Sequence, residues 1–262
     1  MDIKQFEELS TEKVGKSFSV FSSLGSTNSY ARDNVSILGD GHLIVSDEQL
    51  SGRGRQGKSF YSPDGGLYMS LVIKDEKAVN DGLFTVKACL GVCRAIDRLC
   101  GVTESNGVGI KWVNDIYFAG KKLCGILCER LTDEDGTGCV IAGFGINFKL
   151  DYSNVPSDIR KTVTSLFDIT KKNYSKLTLC RYICEEIEAL VYGDALSDEE
   201  ILSMYKRRSV VIGKEISIIT QDETPVRAAA LDICPDGALL VRTQDGFTRK
   251  LCGGEISIKL KK

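Results

Sequence analysis

A single histidine, His42, stands among 262 residues, and that scarcity removes whole classes of chemistry. Zinc sites built on paired histidines are excluded. A Ser/His/Asp or Cys/His pair would have to use this one residue, and no such pairing signal surrounds it. Charge of one sign is also lacking. The 34 basic and 36 acidic side chains leave a net charge of −2. No global positive field therefore draws the chain to nucleic acid or to a membrane surface. No apolar run approaches the roughly 20 residues that a membrane span needs. Met1 to Ser10 is polar, without the apolar core of a secretory leader. Paired C-x-x-C units are missing as well, although the chain has 10 cysteines. Cys89, Cys93, Cys100, Cys124, Cys128, Cys180 and Cys184 lie in apolar or helix-like runs, where a free thiol behaves as a small buried hydrophobe. A reducing cytoplasm is the expected setting.

What remains is an ordinary globular composition, with 42% apolar and 27% charged residues. The length suits one large domain, alone or with a small companion. Alternation and apolar runs predict strands over residues 17–21, 42–45, 67–73, 108–112, 116–118, 123–129 and 139–148. Helices are predicted over 30–34, capped by Thr27 or Asn28, and over 178–192 and 198–207. Residues 81–100 form an amphipathic helix, because Leu83, Val86, Leu90, Cys93, Ile96 and Leu99 recur at helical spacing. The texture changes near Ser209. Short strand candidates over 210–212, 215–219, 226–233, 238–242, 247–251 and 255–260 predict a small barrel. The expected division is 1–208 and 209–262.

The stretch Gln49-Leu-Ser-Gly52-Arg53-Gly54-Arg55-Gln56-Gly57-Lys58 carries the most chemistry. Its G-x-G-x-x-G spelling is not a dinucleotide fingerprint. That motif must open a helix, and here Phe60 to Gly66 continues with Pro63, Gly65 and Gly66. The glycines let backbone approach a ligand closely. Arg53, Arg55 and Lys58 supply donors for carboxylate or phosphate oxygens. A solvated loop with incidental charge would read the same way. Lys111 lies on an otherwise apolar strand, either pointing into a pocket with an anionic partner or exposed on a sheet edge. Gly143 and Gly145 inside a strand mark either a ligand's approach or a bulge. Ser26-Thr27-Asn28 offers hydrogen bonds to a polar ring, or a helix cap, or both.

Taken in order, these segments resemble the bacterial biotin protein ligases. That family carries S-T-N, Q-x-x-G-R-G-R-x-G, K-W-P-N-D, K-x-x-G-I-L-x-E and G-x-G-I-N segments. Here they stand at Ser26 to Asn28, Gln49 to Gly57, Lys111 to Asp115, Lys122 to Glu129 and Gly143 to Asn147. The C-terminal segment, through Gly253-Gly254-Glu255-Ile256-Ser257, looks like the family's small SH3-like domain. Val113 replaces the usual proline, and Phe60 stands where many members have tryptophan. The resemblance implies an α+β fold: a mixed β-sheet with flanking helices, plus a C-terminal SH3-like barrel. It implies ATP-dependent conversion of biotin to biotinyl-5′-AMP, then transfer to a lysine of a biotin carboxyl carrier protein. Lipoate ligation and non-enzymatic biotin sensing are the rival readings.

By the same resemblance, Lys111 and Arg55 are the catalytic candidates. Ser26, Thr27, Asn28, Gln49, Gly52, Arg53, Gly54, Arg55, Lys111, Gly125, Gly143 and Gly145 are biotin-binding candidates. Arg53, Arg55, Lys58, Phe60 and Asn147 are candidates for holding ATP or the adenylate. No metal-ligating set is expected, because magnesium would come bound to the ATP phosphates. Only 25 residues precede Ser26, too few for a winged-helix module, so DNA binding is not expected. No membrane partner is expected, and the family pattern allows a homodimer.

Overall fold

Leu67 to Ile73 is a run of large apolar residues broken only by Ser70, and it forms the strand most deeply set in the molecule. In the computed structural model, which describes residues 9–132, 136–219, 225–253 and 255–258, this strand is buried along its whole length. Seven strands make the main sheet: β1 (Phe18–Leu24), β2 (His42–Gln49), β3 (Leu67–Ile73), β4 (Gly109–Lys111), β5 (Asp115–Phe118), β6 (Lys121–Thr132) and β7 (Gly138–Ile146). Their order is β1-β2-β3-β7-β6-β5-β4. β1 and β2 run parallel, and every other neighbouring pair is antiparallel. A sheet with one parallel pair at its edge is mixed, not the parallel sheet that a dinucleotide fingerprint needs.

Period-2 alternation sends neighbours to opposite faces. Leu43 and Val45 join the larger core, and Ile44 between them joins a smaller cluster with Ala31, Val72 and Ile141. Helix α1 (Thr27–Asp33) brings Ala31 to that smaller face. The larger face is covered by α3 (Phe84–Cys100) and α5 (Lys176–Val191), whose apolar stripes pack on each other and on the sheet. Two short helices, α2 (Glu76–Asn80) and α4 (Leu166–Thr170), are started by the side chains of Asp75 and Ser165. Helix α6 (Asp198–Arg207) opens on a capping box between Ser197 and Glu200.

Several boundaries differ from expectation. α1 starts at Thr27 because the Ser26 hydroxyl accepts from the Ser29 amide, so Ser26 is the cap and Thr27 and Asn28 lie in the first turn. α3 starts at Phe84, after the Asp81 carboxylate has captured the Leu83 amide. Residues 210–212 are not a strand of the C-terminal sheet. Val210 donates to the Ile110 carbonyl at 2.9 Å, and Ile110 donates to the Arg208 carbonyl at 2.7 Å. The segment therefore crosses β4 as a parallel bridge.

The C-terminal sheet is antiparallel and has five strands: β8 (Glu215–Ile219), β9 (Pro225–Ile233), β10 (Leu239–Thr243), β11 (Thr248–Leu251) and β12 (Glu255–Ile258). Their order is β11-β10-β9-β8-β12. Residues 259–260 of the last expected strand lie outside the described residues. Among the described residues, no helix is long and apolar enough to cross a membrane.

Candidate functional site

The glycine–arginine segment folds back as a tight hairpin between β2 and β3. Gly54 donates to the Lys58 carbonyl at 2.7 Å, and Phe60 donates to the Gly52 carbonyl at 2.8 Å. The turn passes through the left-handed region at Gln56 and Gly57. Gly52 is required by the chain's own closeness: a Cβ there would stand 2.3 Å from Ser62 Oγ and 2.4 Å from the Phe60 carbonyl. No helix opens at the end of the motif, and only a 3-10 turn spans Arg55–Gly57.

This hairpin roofs a cavity in the main sheet. One wall is a chain of short polar side chains. Gln49 Oε1 accepts from the Thr27 amide at 2.8 Å and from Thr27 Oγ1 at 3.1 Å. Ser70 Oγ lies 2.7 Å from both Thr27 Oγ1 and Asn28 Oδ1. The Asn28 amide donates to Glu129 Oε2 at 2.8 Å. Such a wall can exchange hydrogen bonds with a polar ring, since each member both accepts and donates or sits beside one that does.

The floor is glycine. Gly125 on β6 and Gly145 on β7 lie opposite each other in register. The Phe60 ring rests on both. A Cβ at Gly145 would meet its Cε1 at 2.5 Å, and a Cβ at Gly125 would meet its Cε2 at 2.9 Å. Gly143 leaves room for Asn28, whose Oδ1 would be 2.0 Å from a Cβ there. The strand glycines thus serve close approach rather than a bulge, and their neighbours are side chains of the site.

Cations dominate the remaining lining. Arg53, Arg55, Lys58, Lys111 and Lys122 line the cavity, with Asp115 the one carboxylate among the described lining residues. Lys111 ends β4, half-buried, with its ammonium 5.4 Å from the Tyr117 ring centre. Arg55 reaches the Asn114 amide oxygen at 3.2 Å, and Lys122 pairs with Asp115 at 2.7 Å. Arg53 lays its fork on Glu129, at 2.9 and 3.1 Å. Trp112 precedes a cis peptide to Val113 and donates from its indole to the Gly237 carbonyl at 3.0 Å. Ile256 of β12 completes the lining.

Of the sequence candidates, Gly52 and Asn147 lie outside this lining. Asn147 donates to the Lys122 and Thr164 carbonyls at 3.3 and 3.0 Å, bracing the start of β6 from behind. Ser70, Asn114, Asp115, Lys122, Glu129 and Ile256 join the site unannounced. Four of these stood inside the K-W-x-N-D and K-x-x-G-I-L-x-E segments, but the motif spelling did not say which partner each would take. His42 is elsewhere: its ring nitrogens lie 3.0 and 2.9 Å from the hydroxyls of Ser19 and Ser17, and burial lowers its pKa. Among the described residues, no cluster of His, Cys, Asp or Glu is arranged to hold a metal ion.

Residues 20–147 match the biotin/lipoate A/B protein ligase family, and residues 211–259 match the biotin protein ligase C-terminal domain. The chain is 30% identical over 223 residues to the bifunctional ligase/repressor BirA of Bacillus spizizenii, covering 84% of this chain and 66% of that protein. It is 30% identical over 258 residues to the bifunctional ligase/repressor BirA of Escherichia coli, covering 94% of this chain and 75% of that protein. Its fold is like that of the biotin protein ligase from Aquifex aeolicus in complex with biotin and ATP. That likeness has a TM-score of 0.74 at 24% identity, over 94% of this chain and 100% of that one. The chain belongs to the biotin/lipoate A/B protein ligase family and carries the C-terminal domain of its biotin protein ligases.

Proposed function

We propose that this chain activates biotin with ATP and transfers it to a lysine of a carrier domain of a biotin-dependent carboxylase. The observation that carries the reading is the meeting, in one cavity, of the polar wall Thr27–Asn28–Gln49, the glycine floor and the cations Arg55, Lys58 and Lys111. A neutral ureido ring suits the wall, and the Phe60 ring seated on the glycines offers a flat apolar surface. The cations suit a carboxylate brought against a triphosphate, two groups that repel each other in a low-dielectric site.

In the first step, a biotin carboxylate oxygen attacks the α-phosphorus and pyrophosphate leaves. Lys111 and Arg55 hold the carboxylate and α-phosphate oxygens together and stabilise the charge that builds up there. In the second, an acceptor amine attacks the mixed anhydride, and AMP leaves. The Phe60 ring, seated on Gly125 and Gly145, packs against the bound intermediate. Asp115 and Glu129 are each engaged by a cation; magnesium would be held mainly by the ATP phosphates, where it would offset their charge. We place the catalytic unit at 1–208 and the C-terminal unit at 209–262. All ten cysteines are free thiols, which suits a reducing cytoplasm.

Biotin-dependent exchange of labelled pyrophosphate into ATP tests the reading, with lipoate as the parallel substrate. Lys111→Ala is expected to lose exchange by about a hundredfold or more while its circular dichroism stays that of the wild type. Exchange with lipoate alone would move the chain to lipoate ligation. Absence of exchange from a chain that still binds biotin would make it a sensor.

A further inference from the structure

We propose that Arg53 and Glu129 form a latch that seats the 52–60 hairpin on β6 and, through Asn28, links that seating to whatever fills the polar end of the cavity. The proposal deepens the ligase reading, in which that end receives the ureido ring, and it assigns Arg53 a positioning role rather than a hold on phosphate.

The two arginines of the motif are in different situations. Both terminal nitrogens of Arg53 are committed to both oxygens of Glu129, at 2.9 and 3.1 Å. This is the planar fork-on-carboxylate match that makes arginine hard to replace by lysine. Arg55 meets a neutral amide oxygen, Asn114 Oδ1, at 3.2 Å. An incoming anion replaces a neutral acceptor readily. It displaces a paired carboxylate only by leaving that carboxylate without its counter-charge. Of the two, Arg55 is the one placed to meet substrate oxygens.

Glu129 is a hub. Besides Arg53, its Oε2 accepts from Asn28 at 2.8 Å, and its Oε1 lies 3.7 Å from Arg32 on α1. From Asn28 the polar chain runs through Ser70 and Thr27 to Gln49. Gln49 donates to Ser62 Oγ at 2.9 Å, and Ser62 Oγ donates to the Phe60 carbonyl at 2.9 Å. One hydrogen-bonded path thus touches both feet of the hairpin, Arg53 at one and Phe60 at the other. Its middle, Asn28, Thr27 and Gln49, lines the polar end of the cavity that both feet also border. A ligand that takes bonds from that middle section changes what both feet are tied to.

The test uses the intact chain as wild type, Arg53→Gln, Glu129→Gln and the double variant. Each single change is expected to weaken biotin binding without ATP by about tenfold, the worth of one charged hydrogen-bonded pair. The double variant should lose no more than the worse single one, because both remove the same interaction. KM for ATP should stay within about twofold, unlike that of Arg55→Gln. Amide exchange at Gly54 and Phe60, whose N–H groups close the hairpin, should speed up in both single variants, and biotin should slow it only in the wild type. Arg53→Lys keeps the charge and loses the fork, so it should fall between. It carries the test if Glu129→Gln folds poorly. A tenfold rise in KM for ATP in Arg53→Gln, with biotin binding unchanged in Glu129→Gln, would overturn the latch and make Arg53 a phosphate ligand. If the wild type binds no biotin, the ligase reading fails separately. The exchange rates at Gly54 and Phe60 then still judge the latch, and unchanged rates in both variants reject it.

Discussion

The indole N–H of Trp112 donates to the Gly237 carbonyl at 3.0 Å, so the residue next to Lys111 is fastened to a turn of the C-terminal sheet. Trp112 is 4% exposed, and it is the only tryptophan of the chain. Trp112→Phe keeps most of the apolar packing and leaves the carbonyl without this donor. We expect a loss of about 1–2 kcal/mol in urea unfolding. Because Trp112 also lines the cavity, its emission is a single-site reporter. Adding biotin and ATP should shift it in the wild type, with Trp112→Phe as the blank.

Gly143 and Gly145 stand two apart on β7, yet their alanine variants should behave differently. At Gly143 the new methyl meets Asn28 Oδ1 at 2.0 Å, and Asn28 is held by Ser70 and Glu129. At Gly145 it meets the edge of the Phe60 ring at 2.5 Å, and that ring sits at the half-buried end of a hairpin. Gly143→Ala should cost about 1–3 kcal/mol of stability, as overpacking of a fixed neighbour does, and should abolish biotin binding. Gly145→Ala should unfold within about 1 kcal/mol of the wild type but with weakened binding. Thermal unfolding and titration calorimetry on both variants check the contrast.

The cysteines should sort by burial when alkylated. Burial pushes the Cys93 thiol up to about 12, against the pull of the nearby Arg208 guanidinium. Burial likewise raises Cys89 and Cys124. The reactive species is the thiolate, so these side chains should stay unmodified at pH 8. Cys252 is exposed. Iodoacetamide followed by peptide mass spectrometry should find Cys252 labelled first, and the buried thiols labelled only after unfolding.

Asp168 should help set the acid limit of stability. Partial burial works against its charge, but hydrogen bonds from Ser165 and Tyr152 outweigh burial and lower its pKa. A carboxyl lowered in the folded state stabilises above its unfolded pKa of about 4. That contribution is lost as pH falls through the folded value. Asp168→Asn should therefore melt below the wild type at pH 6, and the gap should close as pH drops below about 4. Melting temperatures at stepped pH decide it.

Long elements with strong periodicity were legible in the sequence. β3 is a solid apolar run, and α3 repeats its apolar positions through Leu99. Their identity follows from which residues must leave water. Most candidate site residues were legible too, because they cluster in short motifs at strand ends and one hairpin. The pairings were not. Arg53 and Glu129 are 76 positions apart, and nothing in either motif says that one neutralises the other. α2 and α4 have five residues each, too few for a period to register, and their caps alone start them. Residues 210–212 look like a strand because they are apolar. The Val210 N–H goes instead to the Ile110 carbonyl of β4, and the Val211 and Ile212 N–H groups go to the Ser209 hydroxyl.

That crossing of Ile110 and Ser209 governs how the molecule can be recombined. The strand bearing Lys111 takes one peptide bond partner from Arg208 and another from Val210. A hybrid that borrows its C-terminal sheet from a relative, joined at 208/209, would inherit these two partners from different parents. Gly213 already donates to Ala230 within the C-terminal sheet, so a seam at 212/213 keeps the whole clasp with the strand it serves. The place where composition changes and the place where the polypeptide can be exchanged are a few residues apart, and the second is the one an engineer should cut.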